Sequence, residues 1–196
     1  MTARVRTERR ARARRPKGRV VVRIAEVFRK YGYDGATLSR LVKATGLRHA
    51  SLYHYFPNGK EGMARAALDE TGRWFKSHVL DVLDRPGAPE TRLKAAAEGI
   101  DAFYRGGRMP CLLAAVALSQ SRDALRAELR RAVDGLADSF ARTLVDAGLS
   151  ADEARRRAED AIVRLQGALI VDRAAEGKAA FRRVIDTLPD LAKRPT

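Results

Sequence analysis

Residues 37–60 read TLSRLVKATGLRHASLYHYFPNGK, and they carry the most specific structural signal in the chain. Thr37 offers a hydroxyl N-cap, and a short stripe of leucine and valine predicts a helix that runs to Thr45. Gly46 interrupts the pattern, and a second short helix is predicted over about residues 47–56. Two short helices separated by a tight glycine-containing turn are typical of a helix-turn-helix.

The rest of the chain predicts helices only. An amphipathic stripe precedes the helix-turn-helix and ends at Gly32 and the Asp34-Gly35 pair; its members are Val21, Ile24, Ala25 and Phe28. A turn at Pro57-Asn58-Gly59 follows, and helical periodicity then continues from Lys60 to about residue 83. Later breakers delimit helices near residues 90–105, 110–120, 122–147, 150–176 and 178–193. Because no alternating strand pattern occurs, the predicted fold class is all-α: a three-helix helix-turn-helix domain followed by a larger helical bundle.

The positive charge of the chain is concentrated at its N-terminus. The first 60 residues hold 16 Lys and Arg against three Asp and Glu, whereas the remaining residues hold 23 against 21. Such a localised excess is typical of a protein that binds a polyanion, although charge alone does not separate DNA from RNA or an anionic membrane. Residues 1–17 hold eight of these basic groups and few large apolar side chains, which predicts a mobile arm.

Several functional classes find no support in the sequence. The single cysteine, Cys111, excludes an internal disulfide and fits a reducing compartment. No stretch approaches the ~20 apolar residues that span a bilayer, and the N-terminus lacks the apolar region of a secretory signal. We therefore expect a cytoplasmic protein. No phosphate-binding loop, metal-spaced cluster or activated nucleophile is present, so neither a cofactor nor an enzymatic activity is predicted.

Residues 23–63, RIAEVFRKYGYDGATLSRLVKATGLRHASLYHYFPNGKEGM, resemble the N-terminal domain of the TetR (tetracycline-repressor-type) family. The resemblance is carried by Phe28, Tyr31-Gly32-Tyr33, Thr37, Thr45-Gly46-Leu47, the run from Ser51 to Phe56, and Lys60-Glu61. The turn after Phe56 is one residue longer than the commonest form in the family. That turn and the segment MPCLLAAVAL resemble the branch that contains the lincomycin-resistance repressor of bacilli.

The resemblance implies a ligand-responsive transcriptional regulator, most often a repressor. Such a protein binds a palindromic DNA operator as a homodimer and is released by a small hydrophobic or aromatic effector. Residues 18–62 would form the DNA-binding domain, and residues 63–196 would bind the effector and dimerise. A basic-armed nucleic-acid-binding protein without an effector is the alternative. An enzyme with a basic appendage is a further rival, but the chain lacks a catalytic cluster.

Eight residues are predicted to contact DNA. Leu47, Ala50, Leu52 and Phe56 are assigned to packing, which leaves the other side of the second short helix for the duplex. Arg48 can donate two hydrogen bonds to guanine, one to O6 and one to N7. The TetR family often has Ser or Thr at this position, so Arg48 is an unusual residue here. The predicted DNA contacts are Thr37, Arg40, Arg48, His49, Ser51, Tyr53, His54 and Lys60.

Two parts of this assignment keep an alternative. The alternative for His49 and His54 is that they are ordinary exposed side chains, because their spacing alone does not make a metal site. The arm either enters the minor groove or contributes only sequence-independent counterion release through Arg9, Arg10, Arg12, Arg14 and Arg15.

The second domain supplies candidates for an effector pocket and a dimer interface. Aromatic, methionine and aliphatic residues at helical spacing suit an apolar cavity, although such residues also form ordinary cores. They are Trp74, Phe75, His78, Phe103, Tyr104, Met109, Cys111, Leu112, Val116 and Phe140, with His78 and Tyr104 able to orient a ligand by hydrogen bonds. Apolar stripes on the last two helices predict a four-helix interface, or else they close the core of one chain. Their members are Ile162, Leu165, Gln166, Leu169, Phe181, Val184, Ile185 and Leu188.

Overall fold

A computed structural model of the chain describes residues 17–193, and all regular structure within that range is helical. The predicted all-α class is therefore confirmed. The helices are α1 (Lys17–Gly35), α2 (Leu38–Thr45), α3 (His49–Tyr55), α4 (Gly59–Phe75), α5 (Pro89–Tyr104), α6 (Leu112–Ala117), α7 (Arg126–Asp146), α8 (Ala151–Ala174) and α9 (Ala179–Thr187). A π-helical turn, Lys76–Leu80, and a final turn, Asp81–Leu83, follow α4, and 3₁₀ turns cover Arg122–Leu125 and Leu188–Ala192. Within residues 17–193, no helix has the combined length and hydrophobicity that a membrane-spanning segment requires.

The chain divides into two compact units. Their boundaries differ from the single boundary after residue 62 that the sequence predicted. Within the described range, the first unit comprises residues 17–71 and 112–128, and the second comprises residues 72–111 and 129–193. The sequence assigned residues 112–128 to the second domain. The structure places them in the first unit because α6 packs on α1 and buries its apolar side chains there.

Local signals define the helix ends in the first unit. The Thr37 hydroxyl accepts a hydrogen bond from the Arg40 backbone N–H at 3.4 Å, which confirms the predicted N-cap of α2. Gly46 ends α2 in the left-handed conformation, with φ at 65°. Gly32, with φ at 71°, interrupts α1 at the predicted breaker, although helical structure resumes and continues to Gly35. The last turn of α1 then stacks the Tyr33 ring on Phe28, with centroids 5.5 Å apart.

In the second unit, a buried carboxylate starts the last helix. Asp172 is only 4% exposed and accepts hydrogen bonds from the backbone N–H groups of Ala180, at 3.0 Å, and Phe181, at 2.7 Å. These two N–H groups lie at the start of α9, where a negative charge also meets the positive end of the helix dipole. Asp172 thereby fixes α9 against α8.

The predicted dimer residues lie mostly in the core of this second unit. Leu165, Leu169, Phe181, Ile185 and Leu188 are all buried, and Ile162, Gln166 and Val184 are half-buried. A side chain that is already covered within its own unit has little surface to offer a second chain. The five buried residues therefore agree with the alternative interpretation, in which the apolar stripes close the core of one chain.

The π-helical turn after α4 has a steric counterpart on α5. A Cβ atom at Gly99 would overlap the carbonyl oxygen of His78, so only glycine permits this approach. The extra residue in a π turn rotates the side chains that follow it relative to a regular helix. It therefore sets where His78 lies relative to the aromatic residues one turn earlier.

Candidate DNA-binding site

The exposed face of α3 is polar, and three helix positions define it. His49, Tyr53 and His54 are exposed, whereas Leu52 and Phe56 on the opposite side are buried in the first unit. This pattern follows from the helical period, because residues three and four apart share a face, as His49 and Tyr53 do. The structure thus brings these three predicted DNA contacts together on a single surface.

Ala50 corrects one detail of the sequence-based assignment. It was expected to pack in the core, but it is exposed and lies on the same face as His49 and Tyr53. A small apolar side chain on a groove-facing surface suits contact with a thymine methyl group. Only the packing of α3 reveals this, because alanine fits either side of a short helix.

Arg48 and Ser51 border this face. Arg48 occupies the N-cap position of α3, makes no side-chain capping bond and is exposed, so its guanidinium is available at the end of the helix. Ser51 is half-buried at the flank. The N-terminal end of α3 therefore presents Arg48 and His49 together, which is where a recognition helix contacts base edges.

Tyr53 projects beside the turn that leads into α4. Its side chain is 49% exposed, and a Cβ at Gly59 would lie 3.6 Å from its ring carbon Cε1. Gly59 itself has a positive φ of 58°, and its N–H donates to the Phe56 carbonyl at 2.9 Å. This turn therefore lies beside the Tyr53 ring, and about half of the residue stays exposed.

Arg40 on α2 is held by neighbours from α1. Its guanidinium lies 4.1 Å from the centroid of the Tyr31 ring and donates to the Gly35 carbonyl oxygen. A guanidinium that stacks on a ring keeps most of its donors free at the edges. Arg40 and the capping residue Thr37 are both exposed, so each can still reach a phosphate.

Lys60 is less accessible than the sequence suggested. Its ammonium donates to the Asp34 carbonyl oxygen at 3.2 Å and lies 4.7 Å from the centroid of the Tyr33 ring. Burial lowers the pKa of the Lys60 ammonium below its ordinary value, while the nearby Asp34 carboxylate acts in the opposite direction. The arginines of the predicted arm, Arg9, Arg10, Arg12, Arg14 and Arg15, lie outside the described residues.

Five of the predicted effector residues form a connected aromatic cluster in the second unit. Trp74 contacts His78, Phe75 and Phe103, with ring centroids 4.2, 6.5 and 4.9 Å away respectively. Phe103 also meets the next ring along α5, Tyr104, edge to face at 4.9 Å. His78 is exposed, and Trp74, Phe75 and Phe103 are half-buried, so this aromatic cluster reaches the surface of the unit.

The five remaining predicted effector residues divide between the two units. Cys111 is buried in the second unit, where its sulfur accepts hydrogen bonds from the Tyr104 hydroxyl at 3.5 Å and from the Gln166 amide at 3.4 Å. Met109 is half-buried in this unit, and Phe140 lies in its core. Leu112 and Val116 are instead buried in the first unit.

A charged groove of about 550 Å³ lies elsewhere on the second unit. Its lining includes the ion pairs Arg92–Asp146, Arg142–Asp84 and Arg155–Asp138. Because charged side chains make up most of its lining, the groove does not resemble the apolar pocket that the sequence predicted. Among the described residues, no group of three or more His, Cys, Asp or Glu side chains is placed to hold a metal ion.

A helix-turn-helix with an exposed polar recognition face, in an all-helical chain, defines a class of DNA-binding regulators. The sequence profile described as "Bacterial regulatory proteins, tetR family" matches residues 22–67. The profile described as "Transcriptional regulator LmrA/YxaF-like, C-terminal domain" matches residues 90–187, which is half of the chain. The chain belongs to the TetR family of bacterial transcriptional regulators, and its C-terminal half is of the LmrA/YxaF type.

Two relatives from Bacillus subtilis (strain 168) match nearly the whole chain. The HTH-type transcriptional regulator LmrA is 25% identical over 179 residues, which cover 86% of this chain and 92% of LmrA. The uncharacterized HTH-type transcriptional regulator YxaF is 24% identical over 174 residues, covering 87% of this chain and 91% of YxaF. The predicted resemblance to this branch of the family is therefore confirmed.

Solved structures share the fold at low sequence identity. A TetR transcriptional regulator from Legionella pneumophila superimposes with a TM-score of 0.78 at 16% identity, covering 89% of this chain and 96% of that one. The regulator CifR, solved with 26-base-pair operator DNA, gives 0.69 at 24% identity, covering 90% and 95%. FadR from Bacillus subtilis, solved with stearoyl-CoA, gives 0.68 at 18% identity, covering 89% and 96%.

Proposed function

We propose that this TetR-family regulator is a dimeric repressor that binds a palindromic operator and is released by a small hydrophobic or aromatic effector. The observation that carries the proposal is the exposed face of α3. An uncovered helical face with Arg48 at its N-terminal end and Tyr53 along it matches what an α-helix presents to the major groove.

The side chains around this face divide into two roles. Arg48, His49 and Ala50 lie at the N-terminal end of α3 and suit contacts with base edges, whereas Thr37 and Arg40 of α2 and Lys60 of α4 suit phosphate contacts. Phosphate contacts fix the position of the helix, and base contacts give sequence preference. A dimer would place two such helices about 34–36 Å apart, on successive turns of the duplex.

A second copy of the chain is the proposed occupant of an exposed apolar strip on α8. Val163, Ile170 and Val171 are 69%, 57% and 57% exposed, although each is a large aliphatic residue. Gly167 lies between them on the same face and has no neighbouring atom within 4 Å of the position of a Cβ. A glycine flanked by aliphatic side chains lets two helices approach closely across a two-fold axis.

The aromatic cluster around Trp74 is the proposed effector site. Its half-buried rings offer flat apolar surfaces, and His78 adds a polar edge. FadR was solved with stearoyl-CoA, whose long acyl chain is apolar, and this supports an effector with an apolar part in this fold. The effector can weaken operator binding only if it prefers a conformation in which the recognition helices are differently spaced. Because α4 begins at Gly59, three residues after Phe56, and contains Trp74 in its last turn, it is the proposed carrier of that change.

Selection of bound DNA from a random library tests the DNA-binding part. The wild-type protein should enrich a palindrome, Tyr53→Ala should lose it, and Arg48→Ala should relax it at one position, at a cost of about 1–3 kcal/mol for that contact. Arg85→Ala is a matched control, because Arg85 is an exposed arginine in a turn of the second unit. Salt-sensitive binding without a consensus, abolished by deletion of residues 1–15, would instead favour the basic-armed nucleic-acid binder.

Sedimentation of a surface variant tests the dimer. Ile170→Glu would place a charge within the proposed interface and should convert the protein to a monomer at micromolar concentration. Val145→Glu is the matched control, since Val145 is an aliphatic residue on α7 that is 45% exposed. A dimer that survives Ile170→Glu unchanged contradicts this interface.

A further inference from the structure

The charged groove on the second unit is formed by four separate parts of the chain. They are the turn after α4, the start of α5, the last part of α7 and the start of α8. Its volume of about 550 Å³ lies within the range of small-molecule sites, roughly 300–1,000 Å³. The groove shares no lining residue with the aromatic cluster around Trp74, so it is a separate feature of this unit.

Arginines and aspartates line the groove in equal number. They form the pairs Arg92–Asp146, at 2.8 Å, Arg142–Asp84, at 3.3 Å, and Arg155–Asp138. Each contact is made through one carboxylate oxygen, so the second oxygen can accept a hydrogen bond from an incoming group. The formal charge of the six side chains is zero, and a ligand with a single charge therefore gains little from the groove as a whole. A ligand with one charge of each sign can pair with both kinds of side chain.

Arg92 is the most buried of these six side chains, with only 11% of it exposed. Its guanidinium donates to the Leu83 carbonyl oxygen and to the Asp146 carboxylate, both at 2.8 Å. These two bonds fix the guanidinium before a ligand enters. The Arg92 Nε atom is buried and has no hydrogen-bond acceptor among the described residues. Such donors are rare in folded proteins, and this one indicates where a bound group, or a water that it holds, can supply an acceptor.

Two helix ends of opposite polarity meet at the groove. α7 ends at Asp146, α8 begins at Ala151, and both residues belong to the lining. The last turn of a helix carries a partial negative charge, and the first turn carries a partial positive charge. An ammonium group is therefore favoured near Asp146, and a carboxylate is favoured near Ala151 and Arg155. Ala141 and Val145 add aliphatic surface to the lining.

We propose that this groove binds a small aliphatic zwitterion, either a free α-amino acid or a short peptide. Its ammonium group pairs with Asp146, its carboxylate pairs with Arg155, and its aliphatic part lies against Val145. The groove is thus a second ligand site, separate from the proposed effector site in the aromatic cluster. The inference depends neither on operator binding nor on dimerisation.

Titration of the full-length protein, followed by the NMR signals of its backbone amides, tests the ligand class. The probes are L-valine and the dipeptide L-valyl-L-alanine, which distinguish a free amino acid from a peptide. At least one of them should shift the amides of residues 138–155 in a saturable way, with a Kd of about 1 mM or below. The single-charge analogues of valine, N-acetyl-L-valine and L-valinamide, should each bind at least about 10-fold more weakly than the zwitterion. The inference is overturned if neither probe gives saturable shifts, if either analogue binds as well as valine, or if the shifts centre on Trp74 instead.

Two variants on neighbouring turns test the position of the site. Arg155→Gln and Asp138→Asn each remove one charge from the lining and should weaken binding of the better probe at least about 10-fold. Arg156→Gln and Asp134→Asn are the matched controls, because these exposed residues lie on the same two helices, form ion pairs of their own and do not line the groove. Both controls should bind the probe as the wild type does. Equal weakening in a variant and its control would overturn the assignment to this groove.

Discussion

The indole ring of Trp74 lies parallel to the imidazole ring of His78, with centroids 4.2 Å apart and an interplanar angle of 4°. The His78 Nδ1 atom also lies 2.9 Å from the Trp74 carbonyl oxygen, which keeps the imidazole over the indole. Trp74 is the only tryptophan of the chain. Its fluorescence therefore reports on this aromatic cluster alone.

A His78→Ala variant should separate the effector role of this stack from its structural role. Because His78 is exposed, its removal should cost no more than about 1 kcal/mol of stability, yet it should weaken quenching of Trp74 fluorescence by planar aromatic compounds. His54→Ala, which removes an exposed histidine from the other unit, is the control. Compounds that quench both variants equally would argue against this effector site.

A Lys60→Met variant should change how operator binding depends on salt. If Lys60 contacts a phosphate in the complex, the slope of log affinity against log salt should decrease in magnitude by about 0.9. The Lys94→Met control, at an exposed position on α5, should leave the slope unchanged. A slope in Lys60→Met equal to that of the wild type would mean that Lys60 makes no phosphate contact in the wild-type complex and remains bonded to Asp34. Filter binding at several salt concentrations measures both slopes.

An Asp172→Ala variant should destabilise the protein by about 2–4 kcal/mol. The change leaves the Ala180 and Phe181 N–H groups without their acceptor, and charge-assisted hydrogen bonds to buried groups are expensive to lose. Asp186→Asn, at an exposed position of α9, should have little effect. Denaturant unfolding gives both values. Similar stabilities for the two variants would contradict the capping role of Asp172.

Two glycine substitutions should act in opposite directions. Gly107 has φ at 82°, and a Cβ there would lie 2.9 Å from Phe181, so Gly107→Ala should cost about 2–4 kcal/mol. Gly135 lies inside α7 with open space around it, so Gly135→Ala should stabilise the protein by about 0.5–1 kcal/mol. Thermal unfolding distinguishes the two signs. A stabilised Gly107→Ala variant would contradict the close approach of Phe181.

Glu153 should make the stability of the second unit depend on acidic pH. Hydrogen bonds from Arg157 and Arg156 hold the pKa of this carboxyl below its ordinary value of 4.5. A carboxyl whose pKa is lowered by folding stabilises the folded state above the unfolded pKa, and this contribution is lost as the pH falls through the folded pKa. Glu153→Gln should therefore lower the melting temperature at pH 7 and have a smaller effect near pH 3. An equal effect at both pH values would contradict this role.

The helix-turn-helix could be predicted from the sequence because its signals are local. The Thr37 cap, the Gly46 ending and the turn at Pro57-Asn58-Gly59 each depend on a few adjacent residues. The same holds for Ser150, whose hydroxyl accepts a hydrogen bond from the Glu153 N–H at 3.3 Å and so caps α8. Such features can be predicted without a tertiary structure because the residues that form them are close together in the sequence.

Apolar stripes on helices were harder to interpret. The spacing of apolar residues along a helix does not show whether they pack within their own chain or against a second chain. Leu165 and Leu169 on α8 were predicted to meet a second chain, but they face the core, whereas Val163 and Ile170 on the other side of the helix are exposed. Ala50 was likewise predicted to be buried. Its exposure depends on how α3 packs against the rest of the first unit.

The all-helical class, the family and the helix ends of the DNA-binding motif could be predicted from the residues alone. Three features became visible only in the folded chain: residues 112–128 belong to the first unit, Asp34 bonds both Lys60 and Gln120, and Trp74 stacks on His78. The difference comes from separation along the chain. Caps and turns join residues within a few positions, whereas Asp34 and Gln120 are 86 residues apart and meet only when the whole unit packs.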